Sequence, residues 1–211
     1  NLTEERAKEV SGYERHQHSY RQDTKGLPEI DCAVVASSAN VRRQIIEELL
    51  SVTNVHNLLL EKVLFQSAQD CIEIGELLKE RKVNTWVNAP RPMWTCYQAL
   101  KQALGAEPIQ RFISGGSGWG LACNAYHMLD LFAWLTGSKI EKLSTEYIDK
   151  HPVPSKRNNF YELTGTLNGC FENGTVFSLS DLIGPPKDSY FLLETKDHLI
   201  HINEVTQKLT L

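Results

Sequence analysis

Cys123, His127, Asp130 and Trp134 fall at i, i+4, i+7 and i+11, which lines them up on one stripe of a helix. A histidine titrates near neutral pH, so His127 in that stripe can serve as a general acid or base. Ala125, Leu129, Phe132 and Ala133 form the apolar stripe beside it. The competing explanation is a core histidine bonded to Asp130 or to backbone. A second set of polar residues follows three short apolar runs. Ser37, Ser38 and Asn40 come after the first, Glu61 and Lys62 after the second, Asn88 and Arg91 after the third. Small serines let a ligand approach the backbone, and Lys62 sets a positive charge at a strand end. The competing explanation here is that loops are solvated.

Other groups carry less chemistry. His16 and His18 have no ligand cluster nearby, and His198 and His201 are three apart, so in a strand they point to opposite faces. Five cysteines, Cys32, Cys71, Cys96, Cys123 and Cys170, show no close CxxC spacing. Reduced, buried thiols of a cytoplasmic protein are expected, with no metal site. Gly115 to Gly120 is a glycine-rich loop, but it fits neither GxGxxG nor GxxxxGK[ST]. It suits a tight turn beside a ligand or a helix start. Trp119, within it, is placed to touch a ligand.

The elements that must position these groups change character along the chain. Residues 30–36, 56–60 and 83–88 read as strands, and 39–52, 67–81 and 93–104 as helices. Ser38 or Asn40 can cap the first helix, and Ser67 with Asp70 opens the second. Right-handed crossovers make these strands parallel, and the continuous apolar run 30–36 suits a strand buried on both faces. Ligands of such a sheet bind beyond the carboxyl ends of its strands, where the polar sets lie. Residues 108–114 read as a further strand and 122–135 as a helix stopped by Gly137. Strand-like runs follow near 139–148, 160–168, 174–181, 189–195 and 198–203. Turn signals at Asn168-Gly169, Asn173-Gly174, Gly184-Pro185-Pro186 and Lys196-Asp197 separate them, which implies a mostly antiparallel sheet. Asn173-Gly174-Thr175 fits a glycosylation sequon but reads first as a hairpin turn. Residues 2–10 are a possible helix. The expected division is 1–105 and 106–211.

Composition narrows the function classes. With 211 residues, 41% hydrophobic and 23% charged, the chain is ordinary globular material. A net charge of −4 without a basic block disfavours nucleic acid. No apolar run approaches the roughly 20 residues of a membrane span. The chain starts at Asn1 without a signal peptide, so an upstream segment is expected to be missing.

The series IDCAVVASSANVRRQIIEELL, NLLLEKVLFQS, VNTWVNAPRPMW and NAYHMLDLFAWLTG resembles the glucose-fructose oxidoreductase / inositol dehydrogenase family over most of residues 30–137. The wording LLLEKVLFQ, VNAPRP and GWGLACNAYHMLDLF is similar to a branch found with bacterial surface-polysaccharide and sugar-nucleotide genes. The resemblance implies a partial Rossmann-type parallel sheet followed by an open-sheet α+β domain, with NAD or NADP as cofactor. It implies that Ser37, Ser38, Asn40, Glu61, Lys62 and Asn88 line the cofactor. Arg91, Trp119, Asn124 and His127 would face a sugar or sugar-nucleotide substrate. Lys62 and His127 would be catalytic. A homo-oligomer, dimer or tetramer, would form through the second sheet.

Three departures stand out. Val63 replaces the proline after Glu61-Lys62. Cys123 replaces the aspartate four residues before the histidine, which leaves Lys62, Tyr126 or Asn124 to complete the acid/base pair. The dinucleotide fingerprint is absent, and in the family it lies upstream of the residues seen here. The expected activity is hydride transfer between nicotinamide and a hydroxyl carbon of a sugar. A non-catalytic dinucleotide- or sugar-binding homologue and an assembly unit pairing through residues 140–203 are the alternatives.

Overall fold

A computed structural model describes residues 21, 23–155, 158–185 and 187–210. The expected helix over 2–10 and the His16-Gln17-His18 run lie outside them. The chain divides into two compact units, Asn1–Val87 and Asn88–Leu211, a division that falls earlier than the expected 105/106.

In the first unit, β1 (Ile30–Val35), α1 (Ala39–Val52), β2 (Val55–Leu60), α2 (Ala68–Glu80) and β3 (Asn84–Val87) alternate. The strands are parallel in the order β1-β2-β3, with Val35, Leu60 and Val87 level at their carboxyl ends. Ser67 caps α2 by accepting a hydrogen bond from the Asp70 N–H at 3.1 Å. Ile46, Leu49 and Leu50 of α1 and Ile74 and Leu78 of α2 join Val35, Leu58 and Leu60 in one core. Both helices therefore pack on one face, as two right-handed crossovers stepping in one direction require. The expectation that β1 is buried on both faces is corrected. On the opposite face Val34 is 62% and Trp86 56% exposed.

The second unit opens with a 3-10 turn (Arg91–Met93) and α3 (Thr95–Leu104), which stops at Gly105. β4 (Ile109–Ser117) and α4 (Leu121–Thr136) follow, the helix ending at Gly137 with φ 63°. Then come β5 (Ile140–Ile148), β6 (Val153–Pro154), β7 (Tyr161–Glu162), β8 (Gly165–Phe171), β9 (Val176–Leu182), β10 (Lys187–Thr195), β11 (Leu199–Asn203) and β12 (Lys208–Thr210). Seven strands form one sheet in the order β12-β11-β10-β4-β9-β8-β5. Among the described residues, only the β4–β9 pair in it is parallel. The molecule is thus α/β plus α+β, a parallel sheet followed by a mostly antiparallel open one.

One face of the large sheet packs on α4 and α3. Phe112 of β4 stacks on Phe132 of α4 with centroids 4.0 Å apart. Phe177, Leu179, Phe191 and Leu193 complete this core with Tyr97 and Leu100. Each such buried side chain contributes about 1.5–3 kcal/mol of transfer free energy. The other face is open, and Val176, Leu182, Tyr190 and Leu199 are exposed there.

Two glycine signals read locally as turns are strand residues. Gly169 lies inside β8, opposite Phe177. A Cβ on Gly169 would stand 2.5 Å from the Phe177 ring and 2.3 Å from the Lys142 carbonyl oxygen, so glycine is there for close packing. Gly115 and Gly116 continue β4 because the Tyr190 ring covers Gly115, 2.5 Å from where a Cβ would sit. The Asn173-Gly174 hairpin is present, with Gly174 at φ 89°. No disulfide joins any of the five cysteines, and Cys32 and Cys71 are exposed, which corrects the expectation of buried thiols.

Candidate functional site

In the first unit, level strand ends bring the expected polar residues to one edge. The Glu61 N–H donates to the Val35 carbonyl at 3.2 Å, so the loops after β1 and β2 run side by side. The first carries Ser37, Ser38 and Asn40. The Ser38 hydroxyl donates to Asn40 Oδ1 at 2.6 Å, and both residues are exposed. Ser37 Oγ is buried and has no hydrogen-bond partner among the described residues. A buried hydroxyl left this way suits a polar ligand at the edge. The second loop carries Glu61 and Lys62, both half-buried, and the Lys62–Val63 peptide is cis.

Arg42 lies beneath both loops. It is 1% exposed. Its guanidinium donates to the Ser37 carbonyl in the first loop and to the Val63 and Leu64 carbonyls in the second, the last at 2.6 Å. Burial lowers its pKa, and Glu61 acts in the opposite direction. The sequence held one signal for Arg42: with Ile46 and Leu49 it completes an i, i+4, i+7 stripe, so a charge sits on the buried face of α1.

In the second unit, α4 presents Cys123, His127, Asp130 and Trp134 on one half-buried stripe. The Tyr126 and His127 rings stand 5.9 Å apart, tilted by 54°. Burial raises the Asp130 pKa, and burial with Asp130 raises that of Tyr126. Trp134 is held by Lys101, whose ammonium lies 4.0 Å from its ring centroid. Trp119 turns inward: its indole N–H donates to the Ser180 carbonyl at 2.9 Å, and it packs against the core. Asn124 donates from its side chain to the Trp119 carbonyl.

The glycine-rich turn is a helix start whose donors are occupied by side chains. Asp181, 2% exposed, accepts from Gly120 N–H at 2.7 Å and Leu121 N–H at 3.2 Å. Glu162 of β7 accepts from Cys123 N–H at 3.2 Å. Two carboxylates thus occupy the end of α4 where a phosphate would bind in a nucleotide loop. Replacing Asp181 by alanine strands buried N–H donors. A loss of about 2 kcal/mol is expected, checked by the urea midpoint of unfolding.

Arg91 and Asn88 open this unit. The Arg91 fork faces Glu204, at 2.6 Å from Nε and 3.0 Å from Nη2, and its guanidinium also covers Trp94 at 5.4 Å. The Tyr97 hydroxyl donates to the same carboxylate at 2.5 Å. Burial works against the Glu204 charge, but Arg91, Tyr97 and then His127 hold its pKa below the ordinary value. Burial and Glu204 push the Tyr97 pKa well up. Glu204 and Asp181 carry no local signal, because each meets its partners across a long stretch of chain.

No family model and no curated protein matches the chain. Solved structures do. UDP-N-acetylglucosamine 3-dehydrogenase GnnA from Acidithiobacillus ferrooxidans is similar at a TM-score of 0.66 and 16% identity, over 85% of this chain and 59% of that one. This is the fold of glucose-fructose oxidoreductase and inositol dehydrogenase type enzymes. Scyllo-inositol dehydrogenase from Lactobacillus casei, solved with NAD(H) and scyllo-inositol, shares the fold at a TM-score of 0.60 and 15% identity, over 83% of this chain and 58% of that one. A super-repressor mutant of Gal80p from Saccharomyces cerevisiae shares it at 0.70 and 16%, over 85% and 57%. The chain therefore spans about 60% of the length of the structures it resembles. No helix among the described residues is long and apolar enough to cross a membrane.

Proposed function

We propose that this chain belongs to an NAD(P)-dependent oxidoreductase that moves a hydride between nicotinamide and a hydroxyl carbon of a sugar or sugar nucleotide. The single observation that supports this best is the strand-end edge, where Ser37, Ser38, Asn40, Glu61 and Lys62 gather beyond three parallel strands. Bound nicotinamide supplies the hydride chemistry. The serines, Asn40, Glu61 and Asn88 hold and orient the dinucleotide. In the second unit His127 is the group proposed to take a hydroxyl proton, and in the first the Lys62 ammonium is the proposed positive charge that favours an alkoxide. Asn124 and Trp119, which hold each other, shape the sugar side, and Arg91 braces it through Glu204. The exposed apolar face of the large sheet supports pairing of two copies, and cysteines not joined in disulfides support a cytoplasmic setting.

The second reading is a non-catalytic dinucleotide- or sugar-binding homologue. Cys123 in the place of a carboxylate favours it, and a repressor with the same fold is a precedent. Titrating the full-length protein with NADH and NADPH by nucleotide fluorescence, then assaying a panel of UDP-sugars and inositols, separates the two. Binding with turnover on one substrate is the expected result. Binding without turnover on any would transfer the case to the second reading, and no binding of either nucleotide would sink the first reading and the dinucleotide form of the second.

A further inference from the structure

We propose that Arg42 is the positioning residue of the strand-end edge, locking the loop after β1 to the loop after β2 so that both meet one nucleotide. The inference rests on the cofactor reading of that edge and goes beyond it, because Arg42 need not touch the ligand. Its guanidinium reaches the Ser37 carbonyl on one side and the Val63 and Leu64 carbonyls on the other. Those atoms lie within the first expected cofactor segment, Ser37-Ser38-Asn40, and directly after the second, Glu61-Lys62.

Core stability alone does not explain the residue. Arg42 continues the stripe of Ile46 and Leu49, where an apolar side chain of similar volume would avoid the cost of burying a charge. Among the described residues it makes no ion pair, and its Nε has no hydrogen-bond partner. What its planar fork adds is geometry. One rigid group fixes three carbonyls on two loops, which lysine, a single ammonium on a flexible stem, cannot reproduce. Two loops held in register present their side chains already ordered, so a ligand does not bear the cost of ordering them.

The test is carried out on the full-length protein with two variants, Arg42→Met and Arg42→Lys. NADH affinity is read by fluorescence, and backbone hydrogen exchange is followed across 36–41 and 61–66. In each folded variant we expect exchange to rise in both segments together and to stay unchanged in α2. We expect NADH affinity to fall tenfold or more in Arg42→Met and less in Arg42→Lys. If an assayable reaction is found, KM for the nucleotide should rise by the same factor, with kcat at saturation within about threefold of the parent. Should Arg42→Met not fold, Arg42→Lys carries the test alone. Unchanged affinity in a folded variant, or faster exchange in only one loop, overturns the role of Arg42 and leaves the cofactor reading standing. A parent protein that binds no NADH overturns the cofactor reading itself.

Discussion

Replacing His127 by alanine in the full-length protein is expected to lower turnover by about 10²–10⁴-fold, the usual contribution of a positioned general acid or base. Nucleotide affinity should stay within a few-fold, because the proposed cofactor segments Ser37-Ser38-Asn40 and Glu61-Lys62 lie in the first unit. The placement of His127 is the reason for the size of the effect. It stands half-buried on α4, a helix fixed by Phe132 against the sheet and by Asp181 at its start. Such a helix holds a proton acceptor in one place, which a mobile loop does not. The Glu204 carboxylate, with its Arg91 and Tyr97 partners, interacts electrostatically with it, and the Tyr126 ring stands beside it on the same helix. Steady-state kinetics with the best sugar substrate reads this directly. Unchanged kcat would remove His127 from the reaction and return it to the structural role that its helix position also allows.

Replacing Glu204 by glutamine is expected to cost on the order of 3 kcal/mol of stability, the range found when one partner of a buried ion pair is removed. Arg91 and Glu204 are largely buried, with side chains 17% and 24% exposed. The carboxylate takes both edges of the Arg91 fork and the Tyr97 hydroxyl, so the amide leaves a buried guanidinium without a counter-charge. The measurement is the urea midpoint of the second unit's transition at neutral pH. The pH dependence provides an independent check. The Glu204 pKa is lower in the folded protein than its ordinary 4.5. Its contribution is therefore fully present above that value and is lost as pH falls through the folded pKa. The difference between parent and Glu204→Gln should shrink in acid. A constant difference across that range would mean that the carboxylate's charge is not what stabilises the cluster.

The comparison of sequence with structure divides along the range of the signal. Helix α1 over Ala39–Val52 matches its expected bounds, because its apolar residues repeat within the helix itself. The Ser67–Asp70 start of α2 and the stops at Gly105 and Gly137 were legible for the same reason: caps involve neighbours within four residues. Strand ends carrying Ser37, Ser38, Glu61 and Lys62 were legible because chain order and right-handed crossover together dictate a parallel sheet. Asn168-Gly169 misled, since the same dipeptide serves as a turn or as a smooth patch in a strand. The Phe177 ring that decides between them lies on the neighbouring strand.

By itself, then, the sequence determined the order and type of most elements and which residues stand at the strand ends and on the α4 stripe. These follow from interactions between residues a few positions apart. Only the tertiary structure decided that Arg42 is buried under both loops, and that Asp181 caps a helix from 60 residues away. It alone joined Arg91 to Glu204 across 113 residues. Those contacts depend on sheet register and chain closure, and an ion pair or a buried carboxylate leaves no periodic trace along the chain. The candidate residues for chemistry are thus visible in the sequence, whereas the buried charges beneath their loops and at the helix start appear only when the sheets are formed.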